Sequence, residues 1–287
     1  MKKIFRKKQK ITNPFLEYDG KLIPSDKFHP VFVTGVGRSA THYLAVLFNQ
    51  HSDFNSYHLD DICNAVADSF LMYSTWYHLP VDLSGFFASR SYLISKSEKD
   101  NTTYIESNPY LALSVGDISK FYPNAKFVIV IRDPRKVVLS HLNKGWYENY
   151  SPVFDLKYKA PGYQYNVASP NHFFGRICPN GLKGFKEWNT LSQVGKIAWM
   201  WNTLNLNIEK SLRSIDKIRY KIIHIDDFDY KQYLSLLDFL NCKKPIGVTQ
   251  FENLRNQGIK KTTTKKFDGW GEKEEDEFIE QIKAVKI

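Results

Sequence analysis

The stretch VFVTGVGRSATHYLAVLF, residues 31–48, joins a short strand to an amphipathic helix through a turn that contains two glycines. Its first four residues are apolar or β-branched, which is typical of a strand buried in a parallel sheet. After the turn, four residues follow the spacing of one helix face: Ala40, Tyr43, Leu44 and Leu47. A strand, a turn and a helix N-terminus in this order predict an anion-binding loop, because N–H groups and the positive end of the helix converge there.

The residue types in the turn favour an anion that is bound without a metal ion. We expect Gly35 and Gly37 to adopt backbone angles closed to other residues and to let a ligand approach the main chain. Arg38 adds a positive charge, and the hydroxyls of Ser39 and Thr41 add hydrogen-bond donors. A nucleotide triphosphatase would carry Lys followed by Ser or Thr, with a second acidic ligand for Mg²⁺, and neither is evident. A purely structural turn between strand and helix is the alternative.

The rest of the chain alternates between predicted strands and helices. Apolar segments predict further strands at 102–107, 125–131 and 220–225. Helices are predicted after Asn108-Pro109 and Asp133-Pro134, where a capping residue precedes proline, and at 193–215, 230–240 and 273–285. Alternation with uniformly apolar strands predicts a three-layer α/β fold, with a P-loop-like central parallel sheet and helices on both faces.

Composition and charge divide the 287 residues into a basic tail and one domain. Residues 1–30 are polar and basic, and we interpret them as a tail or loose cover for a single domain at 31–287. Residues 145–192 are rich in aromatic side chains without a clear period, which indicates an insertion or lid. These aromatics either cover an acceptor or pack a small subdomain. The net charge of +10 suits an anionic ligand.

Cysteine usage and hydropathy suggest a cytoplasmic protein. Cys63, Cys178 and Cys242 show neither metal-ligand spacing nor a disulfide framework. No apolar run follows the basic N-terminus, as it would in a secretory signal. No segment reaches the length of a membrane span. A nucleic-acid partner is not expected, because no known nucleic-acid-binding motif is visible.

The segment GVGRSATH, residues 35–42, resembles the 5′-phosphosulfate loop of sulfotransferases that use 3′-phosphoadenosine 5′-phosphosulfate (PAPS). The usual form in this family, which includes carbohydrate, tyrosylprotein-type and bacterial enzymes, is Gly-x-x-Arg-Ser-Gly-Thr-Thr. Ala40 replaces the third glycine, a mild change if that residue is already helical, and His42 replaces the second threonine. The resemblance implies that the whole segment binds PAPS: Gly35, Val36, Gly37, Arg38, Ser39, Ala40, Thr41 and His42.

Two further segments resemble the 3′-phosphate part of the same site. AKFVIVIRDPRKVVLS, residues 125–140, resembles the family motif in which Arg132 and Ser140 bind the 3′-phosphate. The alternative for Arg132 is a local ion pair with Asp133. KTTTKKFDGW, residues 261–270, resembles a basic loop that closes over the cofactor, from which Lys265 and Lys266 reach the 3′-phosphate or adenine. The alternative for both lysines is a solvated run of charge.

The resemblance implies sulfuryl transfer from PAPS to an acceptor hydroxyl, with no metal required. Arg38 is expected to bind the 5′-phosphosulfate and to stabilise the charge on the leaving group, since a lysine found in some relatives is absent at Ser107. Relatives place a general base, commonly a glutamate, about twenty residues past the loop. His58, Asp60 and Asp61 lie at about that distance and are candidates for this base. Glu106 is a further candidate, because it lies at the end of a predicted strand and is expected to face the same edge of the sheet.

The acceptor favoured at this point is a carbohydrate, or else a small molecule. Two other functions stay open. A P-loop-type phosphotransferase or kinase would depend on Mg²⁺ and ATP. A non-catalytic polyanion-binding protein would rest on the net charge and would bind in a salt-sensitive way.

Overall fold

The computed structural model describes residues 25–58, 65–147, 176–259 and 269–282. Five parallel strands form one sheet in the order β2-β3-β1-β4-β5. The strands are β1 Val31–Gly35, β2 Phe54–His58, β3 Thr103–Ser107, β4 Lys126–Ile131 and β5 Tyr220–His224. Because all five run in one direction, their carboxyl ends share one edge, where open α/β sheets bind ligands. The predicted parallel α/β architecture is confirmed.

Eleven α-helices are found among the described residues, and they pack on both faces of the sheet. In chain order they are α1 Thr41–Phe48, α2 Ala65–Trp76, α3 Ser84–Ala88, α4 Ser91–Lys99, α5 Val115–Phe121, α6 Pro134–Leu142, α7 Leu182–Asn189, α8 Gln193–Leu212, α9 Tyr230–Phe239, α10 Val248–Gly258 and α11 Glu272–Gln281. The capping prediction holds for α6, where the Asp133 side chain accepts a hydrogen bond from Lys136 N. After Asn108, by contrast, the chain first forms a 3₁₀ turn, Pro109–Leu113, and α5 follows it.

Side chains at alternate strand positions pack into two separate hydrophobic cores, one on each face of the sheet. Phe32 and Phe127 point to the face that carries α6 and α8, where Val137 and Ile197 are fully buried. Val31, Val33, Val128 and Val130 point to the other face, against α1, α9 and α10. This period of two places an apolar layer on both sides of the central strands, as a three-layer fold requires.

The sequence patterns missed β2 and the helices that follow it. Residues 54–58 read FNSYH and alternate only partly, because β2 is an edge strand with several half-buried side chains. Helix α10 was also not predicted, because Phe251 is its single fully buried residue. Short, half-polar elements at the margin of a fold carry weak periodicity, and packing determines them instead.

Parts of the predicted tail and insertion lie within the described residues. Phe28, from the predicted tail, is buried against Tyr122. At the two ends of the insertion, Tyr147 and Trp188 are buried and their rings are 5.4 Å apart. The middle of the insertion, residues 148–175, lies outside the described residues. No helix in the described ranges is both long and apolar enough to span a bilayer.

Candidate active site

The loop between β1 and α1 is formed differently from the sequence expectation. Neither Gly35 nor Gly37 has a positive φ; Arg38 (φ 69°) and Ala40 (φ 67°) occupy the left-handed region instead. Gly35 is required for another reason, because a Cβ atom there would lie 2.2 Å from the carbonyl oxygen of Val130 on β4. Glycine at this position therefore permits close strand contact, and the left-handed turns fall on the two residues that flank Ser39.

Alanine in place of the family's glycine would be a mild change only if Ala40 were helical. The structure shows that it is not. It is the residue before α1, and its left-handed conformation carries steric strain for a side chain with a Cβ atom. The preceding residue, Ser39, donates its N–H to Val36 O at 3.1 Å. Its hydroxyl is buried and makes no hydrogen bond to any described residue. A buried hydroxyl inside an anion loop fits a site that a phosphate oxygen completes.

The two segments that resemble sulfotransferase motifs meet in space. Arg38 Nε donates to Ser140 Oγ at 2.8 Å, and Arg132 Nη1 donates to the carbonyl oxygen of Arg38 at 2.7 Å. Arg132 is only 4% exposed, and this burial lowers the pKa of its guanidinium, which nevertheless stays charged near neutral pH. The first loop, the end of β4 and the second turn of α6 therefore form one cationic site.

The buried ring of His141 lies next to the loop, beside Gly37. Its ring is fully buried, and Nδ1 lies 2.9 Å from Val137 O. Burial, reinforced by the nearby charges of Arg38, Arg176 and Arg132, lowers the pKa of His141 to about 3. The imidazole is therefore neutral at physiological pH. Its Nε2 atom faces Gly37, 3.5 Å from the position that a Cβ atom would take there.

Of the candidate bases, His58 lies at the end of β2, on the same sheet edge as the loop. It stands opposite Ser107 in the sheet register, and its ring centroid is 5.0 Å from that of His42 in the first turn of α1. Ser107 in turn donates its hydroxyl to Thr41 O at 2.6 Å. Asp60 and Asp61 lie outside the described residues.

Glu106 is placed differently from the remaining candidates. Its side chain is fully buried, and Arg90 donates to both carboxylate oxygens, at 2.6 and 2.9 Å. Tyr104 and Asn108 also donate to it. A carboxylate enclosed by four donors on a buried face does not present itself to an acceptor hydroxyl. The expectation that Glu106 faces the open edge is therefore corrected, because side chains alternate along β3 and this one points into the core.

The buried polar cluster around Glu106 is connected to the end of β1, where the loop begins, through Asn108 and Thr34. Arg90 also binds Asp68 at 3.0 Å, and burial raises the pKa of the Asp68 carboxyl although the charge of Arg90 opposes this shift. Asn108 donates to Asp68 and accepts, through its carbonyl oxygen, the hydroxyl of Thr34 at the end of β1. Sequence reasoning did not connect Asp68 in α2, Arg90 just before α4 and Asn108 just after β3, which share no motif.

A second group of side chains holds the C-terminal helix against the start of α6. The guanidinium of Arg135 binds the carboxylate of Glu275 and lies over the rings of Trp270 and Phe278. Lys265 and Lys266 lie outside the described residues. Within the described ranges, no group of three or more His, Cys, Asp or Glu side chains is arranged to hold a metal ion.

The geometry defines a class of site in which two adjoining cationic motifs meet at the carboxyl edge of a parallel sheet, an arrangement suited to an anionic ligand. Comparison with known proteins specifies that class. Residues 30–168, just under half of the chain, match the model of a family described as the sulfotransferase family. This segment contains the first loop, Arg132 and Ser140, so the resemblance of these motifs to the sulfotransferase family is confirmed. PAPS is the general donor of this family.

Solved structures of several sulfotransferases resemble the chain at low identity. Sulfotransferase STF9 from Mycobacterium avium is 11% identical with a TM-score of 0.47, covering 88% of this chain and 72% of its own. The sulfotransferase domain from the curacin biosynthetic pathway is 14% identical with a TM-score of 0.46, covering 91% and 98%. A sulfotransferase from Alicyclobacillus acidocaldarius is 14% identical with a TM-score of 0.43, covering 88% and 95%. No curated protein matches the sequence significantly.

Proposed function

We propose that the chain transfers a sulfuryl group from PAPS to a hydroxyl of a carbohydrate or small-molecule acceptor. The observation that carries the proposal is the pair of contacts that joins Arg38 to Ser140 and Arg132 to the backbone of Arg38. PAPS carries charged groups on both sides of one ribose, so it needs two anion sites close together. The two adjoining motifs meet this requirement.

In this proposal, different residues of the chain bind the 5′-phosphosulfate and the 3′-phosphate of the donor. The loop from Gly35 to His42 binds the 5′-phosphosulfate through its N–H groups and the Ser39 hydroxyl. Arg132 and Ser140 bind the 3′-phosphate, since a guanidinium can donate two parallel hydrogen bonds to a phosphate. Lys265 and Lys266, outside the described residues, are proposed to contact the same phosphate or the adenine.

Bound PAPS supplies the sulfuryl group and a nucleotide phosphate as leaving group. Arg38 is placed to stabilise the negative charge that grows on the oxygen between phosphorus and sulfur. His58 is our choice for the base that takes the proton of the acceptor hydroxyl, because it lies on the correct edge of the sheet beside α1. Asp60 and Asp61 remain the alternatives. Glu106 is assigned to bracing the loop.

Calorimetric titration with 3′-phosphoadenosine 5′-phosphate in EDTA tests the donor site. We expect binding without Mg²⁺, and Arg132→Ala should weaken it by about 10- to 100-fold, as loss of a charged hydrogen-bond donor implies. Arg213→Ala is the matched control, because Arg213 is exposed directly after α8 and forms an ion pair with Glu209. Absence of binding by the wild type would refute the donor assignment. Tighter binding of Mg²⁺-ATP would also refute it and would favour the phosphotransferase.

A screen of carbohydrate and small-molecule hydroxyls with PAPS, followed by mass spectrometry, tests the acceptor class. With an active acceptor, His58→Gln should lower turnover by at least about 100-fold, which is within the usual range for loss of a general base. Its affinity for the phosphoadenosine product should stay within twofold of wild type. If His58→Gln keeps full turnover while Asp60→Asn or Asp61→Asn loses it, a carboxylate is the base.

A further inference from the structure

We infer that Lys136 is a further cation of the 3′-phosphate site and that Asp226 is its exchangeable counter-ion. This inference rests on the proposed function, since it concerns the phosphate that Arg132 and Ser140 are proposed to bind. Lys136 belongs to the first turn of α6, and Asp226 lies two residues beyond the end of β5. Lys136 lies inside the 125–140 segment that resembles the 3′-phosphate motif, but the resemblance assigns it no role, and Asp226 lies outside every segment that pointed to the donor.

The spacing along α6 places Lys136 between the two proposed phosphate ligands. Lys136 and Ser140 are four residues apart on a helix, so their side chains lie on the same face. Ser140 Oγ accepts the hydrogen bond from Arg38, which fixes that face toward the loop. Arg132 immediately precedes the Asp133 cap of the same helix. An anion between Arg132 and Ser140 therefore lies within the reach of a lysine side chain at position 136.

Asp226 holds the two cations together. One carboxylate oxygen, Oδ1, lies 2.7 Å from Lys136 Nζ and 4.0 Å from Arg132 Nε. The other, Oδ2, accepts the N–H of Asp133 at 2.7 Å. The carboxylate thus sits where Lys136 and Arg132 meet, anchored to the backbone at the start of α6. The Asp133 carboxylate is also nearby, and it accepts the N–H of Lys136 as the helix cap.

The charges of these groups explain why an exchange is feasible. The Lys136 side chain is 43% exposed and that of Asp226 is 18% exposed, so solvent reaches the pair and it is weakly held. A phosphate at Arg132 offers Lys136 a second oxyanion of higher charge, and Lys136 can exchange one partner for the other at small net cost. Asp226 repels the same phosphate, which loosens the bound nucleotide. The carboxylate of Asp226 therefore lowers the affinity for the donor, and it pairs with Lys136 again when the desulfated product leaves.

The substitution Asp226→Asn separates this role from simple positioning. The amide oxygen of asparagine can still accept the N–H of Asp133, so the backbone anchor stays while the negative charge is removed. If Asp226 competes with the phosphate, its neutralisation strengthens nucleotide binding. If Asp226 only positions Arg132 and Lys136, its neutralisation weakens binding.

Calorimetry with two nucleotides provides the test. We expect Lys136→Met to weaken 3′-phosphoadenosine 5′-phosphate by roughly 5- to 10-fold and Asp226→Asn to tighten it by a similar factor, as a single nearby charge predicts. Adenosine 5′-monophosphate, which lacks the 3′-phosphate, should bind all variants within twofold of wild type.

Matched charge changes on α5 control for net charge. Lys120 and Asp117 form an exposed pair in this helix, which leads to the opposite edge of the sheet. Lys120→Met and Asp117→Asn should leave both affinities unchanged. Weaker binding by Asp226→Asn, or an unchanged affinity in Lys136→Met, would overturn the inference. If the wild type binds no phosphoadenosine nucleotide, it is the proposed function that fails.

Discussion

Ala40→Gly is expected to stabilise this protein, although glycine usually destabilises a folded chain. Ala40 precedes α1 with φ 67°, a left-handed conformation that costs a residue with a Cβ atom about 1–2 kcal/mol. Glycine removes this cost but gives the unfolded chain more freedom, worth about 0.4–1 kcal/mol. The half-buried methyl group of Ala40 contributes a few tenths of a kcal/mol, by the roughly 25 cal/mol per Å² of buried apolar area. The net expectation is a gain of about 0.5 kcal/mol.

Ala45→Gly is the matched control, five residues further along. Ala45 lies within α1, so glycine there should cost about 1 kcal/mol in helix propensity, with a further loss from the buried methyl. Urea denaturation of both variants should therefore separate them by about 1.5–2 kcal/mol, with Ala40→Gly at the higher midpoint. Equal destabilisation of the two variants would show that the backbone at Ala40 is not strained. Binding of 3′-phosphoadenosine 5′-phosphate to Ala40→Gly should stay close to that of wild type.

Two further predictions concern buried charge. Arg90→Met leaves the carboxylates of Asp68 and Glu106 buried without their cation and should lower the free energy of unfolding by about 3–5 kcal/mol, measured by urea denaturation at pH 7. The exposed Arg213→Met should lower it by less than about 1 kcal/mol. Equal small losses in both variants would contradict the buried pairing. His141, with a folded pKa of about 3, is neutral in the native state, so its contribution to stability is complete above pH 6.5 and is lost as the pH falls toward 3. Between about pH 5.5 and 4, wild type should lose about 1.4 kcal/mol per pH unit more than His141→Gln; parallel curves would refute this.

The sequence was sufficient to predict the architecture of the central sheet and to single out the two motifs that meet at its edge. β1 and β4 are short apolar runs, because both faces of a buried strand must exclude water. The turn after β1 and the Arg132 motif were visible because anion binding needs particular residue types at fixed local spacing. Local rules of this kind need no knowledge of distant residues.

Other features depend on residues that are far apart in the chain. The sequence did not show that Gly35 is required by the carbonyl oxygen of Val130, because that contact exists only when β1 and β4 pair. It also did not show that the left-handed turns fall on Arg38 and Ala40. Glu106 was a candidate base by position along the chain, but its burial against Arg90 follows from how α4 packs on β3.

The sequence by itself determined a parallel α/β fold and the residue types of an anion site, since both follow from periodicity and local spacing. The tertiary structure decided which of those residues meet. It joined Arg38 to Ser140 across 102 positions and Lys136 to Asp226 across 90. Contacts at such separation are set by the order of strands in the sheet, and a linear pattern of residues does not contain that order.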